Sequence, residues 1–387
     1  MHQARCSGVL SAVSRHDPET LVGLQSMLND DTLPEILQYA SIGTGDLAAL
    51  AGTALTLVGE RPATRPIRPM PPWTADSALP FMSSSALTIG RACLAIDELR
   101  RLDDASAVIY MLSFIALGGN HSTFSEAAAT AAASPKASEV TSRLRNMLAS
   151  SIPGQWKPAR IQDPYGLRVY PVVQATVTAS LNSLAAQVER SMNVAQENPL
   201  FDVDGDQVIH HGAFYQASLS LELDGTTLAL ALTAPITHSR IRMINDPETN
   251  FARPFLATGP EGFSGLMMVE YVAAGAIAEI RNAAQPASVG TLVLSRGAEE
   301  DATFASQAVH QLERSVAAYR VLLACELIGT IRLLRHRNMI PHLAGIASAA
   351  ATLCAALPDS PADRDLRSDL AIADELLDDL GRLTVAE

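Results

Sequence analysis

Four short segments of this 387-residue chain carry side chains whose types and spacing can do chemistry. In the first, Ser41-Ile42-Gly43-Thr44-Gly45-Asp46-Leu47, two glycines bracket a hydroxyl residue. Glycine reaches positive φ at little cost, so a Gly-X-Gly tripeptide can fold back on itself. Attack of the Gly45 nitrogen on the Gly43 carbonyl would close a five-membered imidazolone. Loss of water across Cα–Cβ of Thr44 would then leave an exocyclic alkene, an electrophile made from the chain alone. The same residues also read as GxGxxA, a dinucleotide loop with Glu60 as the ribose acid, although long helices rather than strand–helix alternation follow. The plainest reading is a Gly-flanked turn with Asp46 at a helix N-terminus.

The second segment is Gln162-Asp163-Pro164-Tyr165-Gly166-Leu167-Arg168. Asp-Pro starts a turn, and local physics alone favours a surface turn covered by the tyrosine. The functional alternative is a platform on which Arg168 clamps a carboxylate with two parallel bonds and Tyr165 offers its hydroxyl. The third pairs Glu197-Asn198-Pro199-Leu200-Phe201-Asp202 with His210-His211-Gly212-Ala213-Phe214-Tyr215-Gln216. Adjacent histidines point apart on a helix or a strand and no HExxH occurs, so no metal site is expected. His121, in GGNHST, follows an apolar helix at a Gly-rich break of the kind that lines cavities. The fourth is Gly297-Ala298-Glu299-Glu300-Asp301. Three acids in a row fit a solvated helix start, whereas a buried one would have a raised pKa and could serve as acid or base.

The elements that must position these groups are mainly helical. Val177, Leu181, Leu184, Val188 and Met192 repeat at helical spacing, as do Leu266, Val269, Val272, Ala273, Ala276, Ile277 and Ile280. A third stripe runs from about Phe304 to Arg337, and Ala362 to Leu383 reads as a charged amphipathic helix. Arg61 to Pro72 is a Pro-rich connector; Thr226 to Thr233 fits strand or helix. The chain is 48% hydrophobic with a net charge of -13, which argues against a nucleic-acid partner. Cys6, Cys93, Cys325 and Cys354 show no CxxC spacing. The apolar stretch Ala105 to Leu117 is too short to span a bilayer, and the N-terminus lacks a secretory pattern, so no membrane association and a cytoplasmic protein are expected.

In this order, SIGTGDLAALA, ALGGNHST, QDPYGLR, ENPLFD, HHGAFYQ, FSGLMM, QPASV and EEDATFAS resemble the aromatic amino acid ammonia-lyase and aminomutase superfamily, in its histidine ammonia-lyase-like form. The resemblance covers the chain from about Cys6 onward. It implies an all-α, long-helix bundle, a homo-oligomer (dimer or tetramer), and active sites drawing on several subunits. It also implies a 4-methylideneimidazol-5-one cofactor built autocatalytically from Ala-Ser-Gly, with no nucleotide and no metal.

Carried over by position, Gly43, Thr44 and Gly45 occupy the cofactor tripeptide. Asn120, or its neighbour Gly119, matches an asparagine that helps hold cofactor and substrate. Gln162, Tyr165 and Arg168 match the QDPYxxR set. Ala213 stands where the family has a phenylalanine, with Phe214 serving by a shift of one. Glu300 matches a position that is acidic in the histidine branch and an amide in the phenylalanine branch, which points to a polar or basic substrate group. The expected catalytic residues are therefore Thr44, Tyr165, Glu300 and Asn120, and the expected substrate contacts are Arg168, Gln162, Phe214 and His121. The sequence departs from the family in having threonine for serine at 44, Phe263 before Ser264-Gly265, and no Tyr-Gly loop ahead of Gly43.

Three functions follow from the resemblance. One is an ammonia-lyase or aminomutase acting on an amino-acid-like carboxylate, its N-terminal part supplied by a partner chain. The second is a repurposed enzyme of specialised metabolism without the imidazolone, working through Tyr165, Arg168, Glu300 and His121. The third is a non-catalytic scaffold, ranked below both because the arginine clamp is retained. The expected organisation is a cofactor-site segment and connector over 1–72, a long-helix bundle over 73–339 and a helical cap over 340–387. The Thr44 and Arg168 groups are expected to meet around one pocket.

Overall fold

The computed structural model describes residues 18–384 except 153, 203 and 361, without the side chains of 18, 75 and 76. Cys6 and the N-terminal readings lie outside the described residues. The first helices are α1 (Pro18–Asn29), α2 (Leu47–Leu57), α3 (Ala75–Met82) and α4 (Ala86–Ala116). They are followed by α5 (Glu126–Ala131), α6 (Pro135–Ser151), α7 (Tyr165–Arg168) and α8 (Tyr170–Met192). A hairpin, β1 (Leu200–Asp202) and β2 (Gln207–Ile209), precedes α9 (Ala217–Asn245) and α10 (Pro247–Asn250). The chain ends with α11 (Met267–Ala283), α12 (Ala305–His336), α13 (Gly345–Leu353) and α14 (Arg367–Arg382).

The helical stripes become core. On α8, Val177, Leu181, Leu184 and Val188 are buried; on α12, Val309, Leu312, Val316, Leu323, Leu327, Ile331 and Leu334 are. Thr226 to Thr233, which alternates weakly, is helical within α9, where Thr226, Thr227 and Thr233 are buried. Among the described residues the strands form one antiparallel two-stranded sheet, with Leu200 opposite Ile209 and Asp202 opposite Gln207. That corrects the dinucleotide reading: the crossover sheet it needs is not built, and Glu60 sits in the turn after α2.

The chain divides into two compact units. One comprises Met1–Ile96, Asn182–Gly225 and Pro286–Leu312, the other Asp97–Leu181, Thr226–Gln285 and Glu313–Glu387. In the first, Leu24, Met27, Leu50, Ala54, Leu57, Phe81 and Ala86 form a core. The Pro-rich connector is pinned across it: Met70 N donates to Leu57 O at 2.8 Å and Trp73 Nε1 to Ala54 O at 3.0 Å.

In the second unit, the apolar side chains of α4, including Val108, Ile109, Leu112 and Ile115, are core. They belong to the stretch Ser77–Ala116, which by length and composition alone would suffice to cross a membrane. Buried Arg240 pairs with buried Glu326 through two bonds, 2.5 Å from Nε to Oε1 and 2.7 Å from Nη2 to Oε2. The guanidinium lies 5.2 Å from the Tyr110 ring centre and 5.0 Å from that of Tyr170. A buried charge of this kind survives only because it is paired and its remaining N–H groups are used.

Candidate active site

In the first unit, Thr44, Gly45, Ser83, Ser84, Asn198, Phe214, Tyr215 and the segment Ala298 to Asp301 line a cavity of about 400 Å³. The Thr44 loop is folded tightly. Gly43 has φ +94° and Gly45 φ +134°, both in the region that side chains disfavour. Ser41 Oγ accepts from Gly43 N at 3.3 Å and donates to Gly45 O at 3.2 Å, so one hydroxyl ties the two glycines together. The segment leading into α12 closes the other side. Phe304 N donates to Ile42 O at 2.8 Å, Thr303 Oγ1 to Gly43 O at 2.9 Å, and Gln307 Nε2 to Ser41 O at 2.8 Å. A Cβ on Gly43 would lie 2.5 Å from Thr303 Oγ1 and 2.9 Å from Phe304 N, so alanine has no space there.

Asp46, fully buried, stands at the N-cap position of α2 but makes no side-chain cap there. Its carboxylate reaches the first turn of α4, accepting from Thr88 N at 2.8 Å and Thr88 Oγ1 at 3.0 Å. Burial raises its pKa, and these bonds oppose the rise.

The hairpin brings in the next wall. His211 Nδ1 accepts from Ala213 N at 3.0 Å, which leaves Nε2 as the donor to Glu197 O at 2.9 Å. His211 N donates to Asn198 Oδ1 at 3.0 Å. This histidine therefore folds the Asn198 and Phe214 segments together. Glu299, Glu300 and Asp301 form an acidic edge, and Asp301 accepts the Tyr215 hydroxyl at 2.8 Å. That bond holds the proton on Tyr215 and raises its pKa. Asp224 anchors the QPASV segment, accepting from Ala287 N at 3.1 Å and Ser288 N at 3.0 Å.

In the second unit, Asn120, Ser122, Thr123, Gln162, Asp163, Tyr165 and Arg168 line a cavity of about 430 Å³. With its amide oxygen facing the guanidinium, as the donor-only arginine requires, Gln162 accepts from Arg168 Nη2 at 2.8 Å and from Nη1. The Arg168 guanidinium lies 4.7 Å from the Tyr165 ring centre, and its buried Nε has no partner. Three successive carbonyls of α7 are held from outside. Gly166 O accepts from Arg240 Nη1 at 3.1 Å, Leu167 O from Tyr110 Oη at 2.7 Å, and Arg168 O from Thr123 Oγ1 at 2.8 Å.

Asn120 is spent on backbone: Nδ2 donates to Ile161 O at 2.6 Å and Oδ1 accepts from Ser122 N at 3.0 Å. His121 is exposed in the 3₁₀ turn that follows.

Thus Gly43, Thr44, Gly45, Phe214 and Glu300 come together in one unit, and Asn120, Gln162, Tyr165 and Arg168 in the other. Thr44 lines the cavity of the first unit and Arg168 that of the second. Ser83, Ser84 and Asn198 had not been singled out as site residues. Serines and an asparagine carry no distinctive spacing there, and Asn198-Pro199 by itself reads as a turn.

The model of the aromatic amino acid lyase family matches residues 1–357. The chain is 28% identical over 390 residues to a histidine ammonia-lyase of Stigmatella aurantiaca, covering 97% of this chain and 76% of that one. It is 30% identical over 353 residues to a histidine ammonia-lyase of Bacillus cereus (strain AH187), covering 87% and 69%. The structure of a tyrosine aminomutase from Streptomyces globisporus superposes with a TM-score of 0.89 at 21% identity, over 99% of this chain and 79% of that one.

Proposed function

The chain belongs to the aromatic amino acid lyase family, and from that premise we propose that it eliminates or relocates the amino group of an L-amino acid whose side chain is aromatic and polar or basic. One observation carries the reading: a hydroxyl residue between two positive-φ glycines opens on a cavity walled by Phe214, Tyr215 and three acids. The acids, which stand at the solvent-exposed edge of this cavity, favour a cationic or hydrogen-bonding side chain over a purely apolar one. Histidine is the first candidate, since relatives of this chain are named for acting on it.

The residues present fit the family's imidazolone. The turn is already folded back, and the Gly43 carbonyl accepts a hydroxyl hydrogen bond. Formed there, the group would supply an electrophile for the substrate amine. Arg168 and Gln162 bind the substrate carboxylate, and the Tyr165 ring supports the guanidinium. The Tyr215 hydroxyl, which donates to Asp301, keeps its proton at neutral pH and fixes the Asp301 carboxylate at the cavity edge. In keeping with the family resemblance, the complete site is taken to draw on more than one copy of the chain, with Thr44 from one and Arg168 from another.

Incubation with histidine, tyrosine, phenylalanine and ring-substituted analogues tests the reading. Ammonia release with a new near-UV absorbance, or migration of the amino group to the β-carbon, is expected for at least one. Absence of both for all of them overturns it. A second reading, favoured by the β-methyl that threonine adds at 44, keeps the cavity and leaves the Thr44 hydroxyl intact. An unmodified intact mass in an active preparation selects it.

A further inference from the structure

We propose that Thr303 is the catalytic hydroxyl for ring closure at Gly43-Thr44-Gly45, an assignment that rests on the cofactor reading above. In ring closure the Gly45 nitrogen bonds to the Gly43 carbonyl carbon, and its proton passes to the Gly43 oxygen. That oxygen leaves as water with the hydrogen of the Thr44 amide, giving a C=N bond. The Thr44 hydroxyl and its Cα hydrogen leave as a second water, giving the Cα=Cβ bond. Two waters depart and no oxidant is needed.

The oxygen that must gain charge and then depart is the one Thr303 Oγ1 touches, at 2.9 Å. A fixed donor at an oxygen where charge develops lowers the barrier, and more so away from water. Thr303 is held for this task. It is 4% exposed, its own carbonyl accepts from Ser220 Oγ at 2.6 Å, and the next residue, Phe304, donates to Ile42 O at 2.8 Å. From the other side, Ser41 Oγ bonds both Gly43 N and Gly45 O and keeps the turn folded. The lack of space for a Cβ at Gly43 is the counterpart of this arrangement, since a side chain there would displace the Thr303 hydroxyl.

The test is the intact mass and near-UV spectrum of the full chain, as wild type, Thr303→Val and Thr303→Ser, each with a thermal melt. Wild type is expected to be lighter by two waters, about 36 Da, with an added near-UV band. Thr303→Ser, which keeps the hydroxyl, should match it. Thr303→Val should melt cooperatively near wild type yet carry at least tenfold less of the light species. A purely structural hydroxyl would move the melt and leave the mass alone. If Val does not fold, Thr303→Ala replaces it. A folded Val or Ala variant modified to the wild-type extent overturns the role of Thr303 alone. An unmodified wild type ends the cofactor reading, and this assignment with it.

Discussion

Arg168 is arranged as a fork before any substrate is present: Gln162 meets its Nη atoms and Tyr165 lies against its plane. A lysine would keep the charge and lose both the fork and the stacking. Arg168→Lys is therefore expected to raise KM about tenfold or more while changing kcat less, since charged hydrogen bonds are worth about 1.5–3 kcal/mol. An equal fall in kcat at constant KM would argue against a carboxylate clamp. At Gly43 the conformation and the crowding act together. Gly43→Ala should cost about 2 kcal/mol or more, read as a lower denaturant midpoint. Residue chemistry of this sort was partly legible in the sequence. The Gly-Thr-Gly and Asp-Pro-Tyr segments announce themselves by type. Thr303 does not, because a hydroxyl in a loop is common and its partner lies 260 residues away.

Among the elements, α7 illustrates how four residues are held by others. Its carbonyls are bound by Arg240, Tyr110 and Thr123, and Arg240 is neutralised by Glu326. Arg240→Ala is expected to cost about 3–5 kcal/mol, because Glu326 would be left buried and unpaired. The double change Arg240→Met, Glu326→Leu should cost clearly less; equal losses in urea melts would count against this account. Buried Asp103 on α4 adds a pH dependence. It accepts from Gln174 and from Thr178 at 3.0 Å, yet burial pushes its pKa up to about 6. Between about pH 4 and 6 the folded state thus binds more protons than the unfolded one, so stability falls as pH rises through that window. Asp103→Asn should flatten that decline, which amounts to at most about 3 kcal/mol; an unchanged slope would contradict it. The helices themselves were legible because each buries a stripe at its own period. The ambiguous stretch Thr226 to Thr233 was not, since threonine serves strand and helix alike and packing on α9 decided it.

For the whole molecule, the all-α architecture followed from long periodic runs, whereas the grouping of the site residues depended on contacts far apart in sequence. Asn120 stands one residue before the turn at His121 and near Arg168, a placement that spacing alone does not reveal. In the second unit α9 leaves Leu232 60% exposed and α11 leaves Tyr271 66% exposed. Apolar side chains on long helices are commonly covered by another copy. Leu232→Arg with Tyr271→Arg should lower the mass measured by light scattering, and an unchanged mass would exclude those faces from assembly. The proposed function requires more: Thr44 of one copy and Arg168 of another must serve one substrate. Co-expression of Thr44→Ala with Arg168→Ala tests this directly. Each variant alone should be inactive. Random mixing should restore about a quarter of wild-type activity, because one site in four then pairs an intact Thr44 with an intact Arg168 from another copy. Mixed assemblies that remain as inactive as either variant would contradict the account.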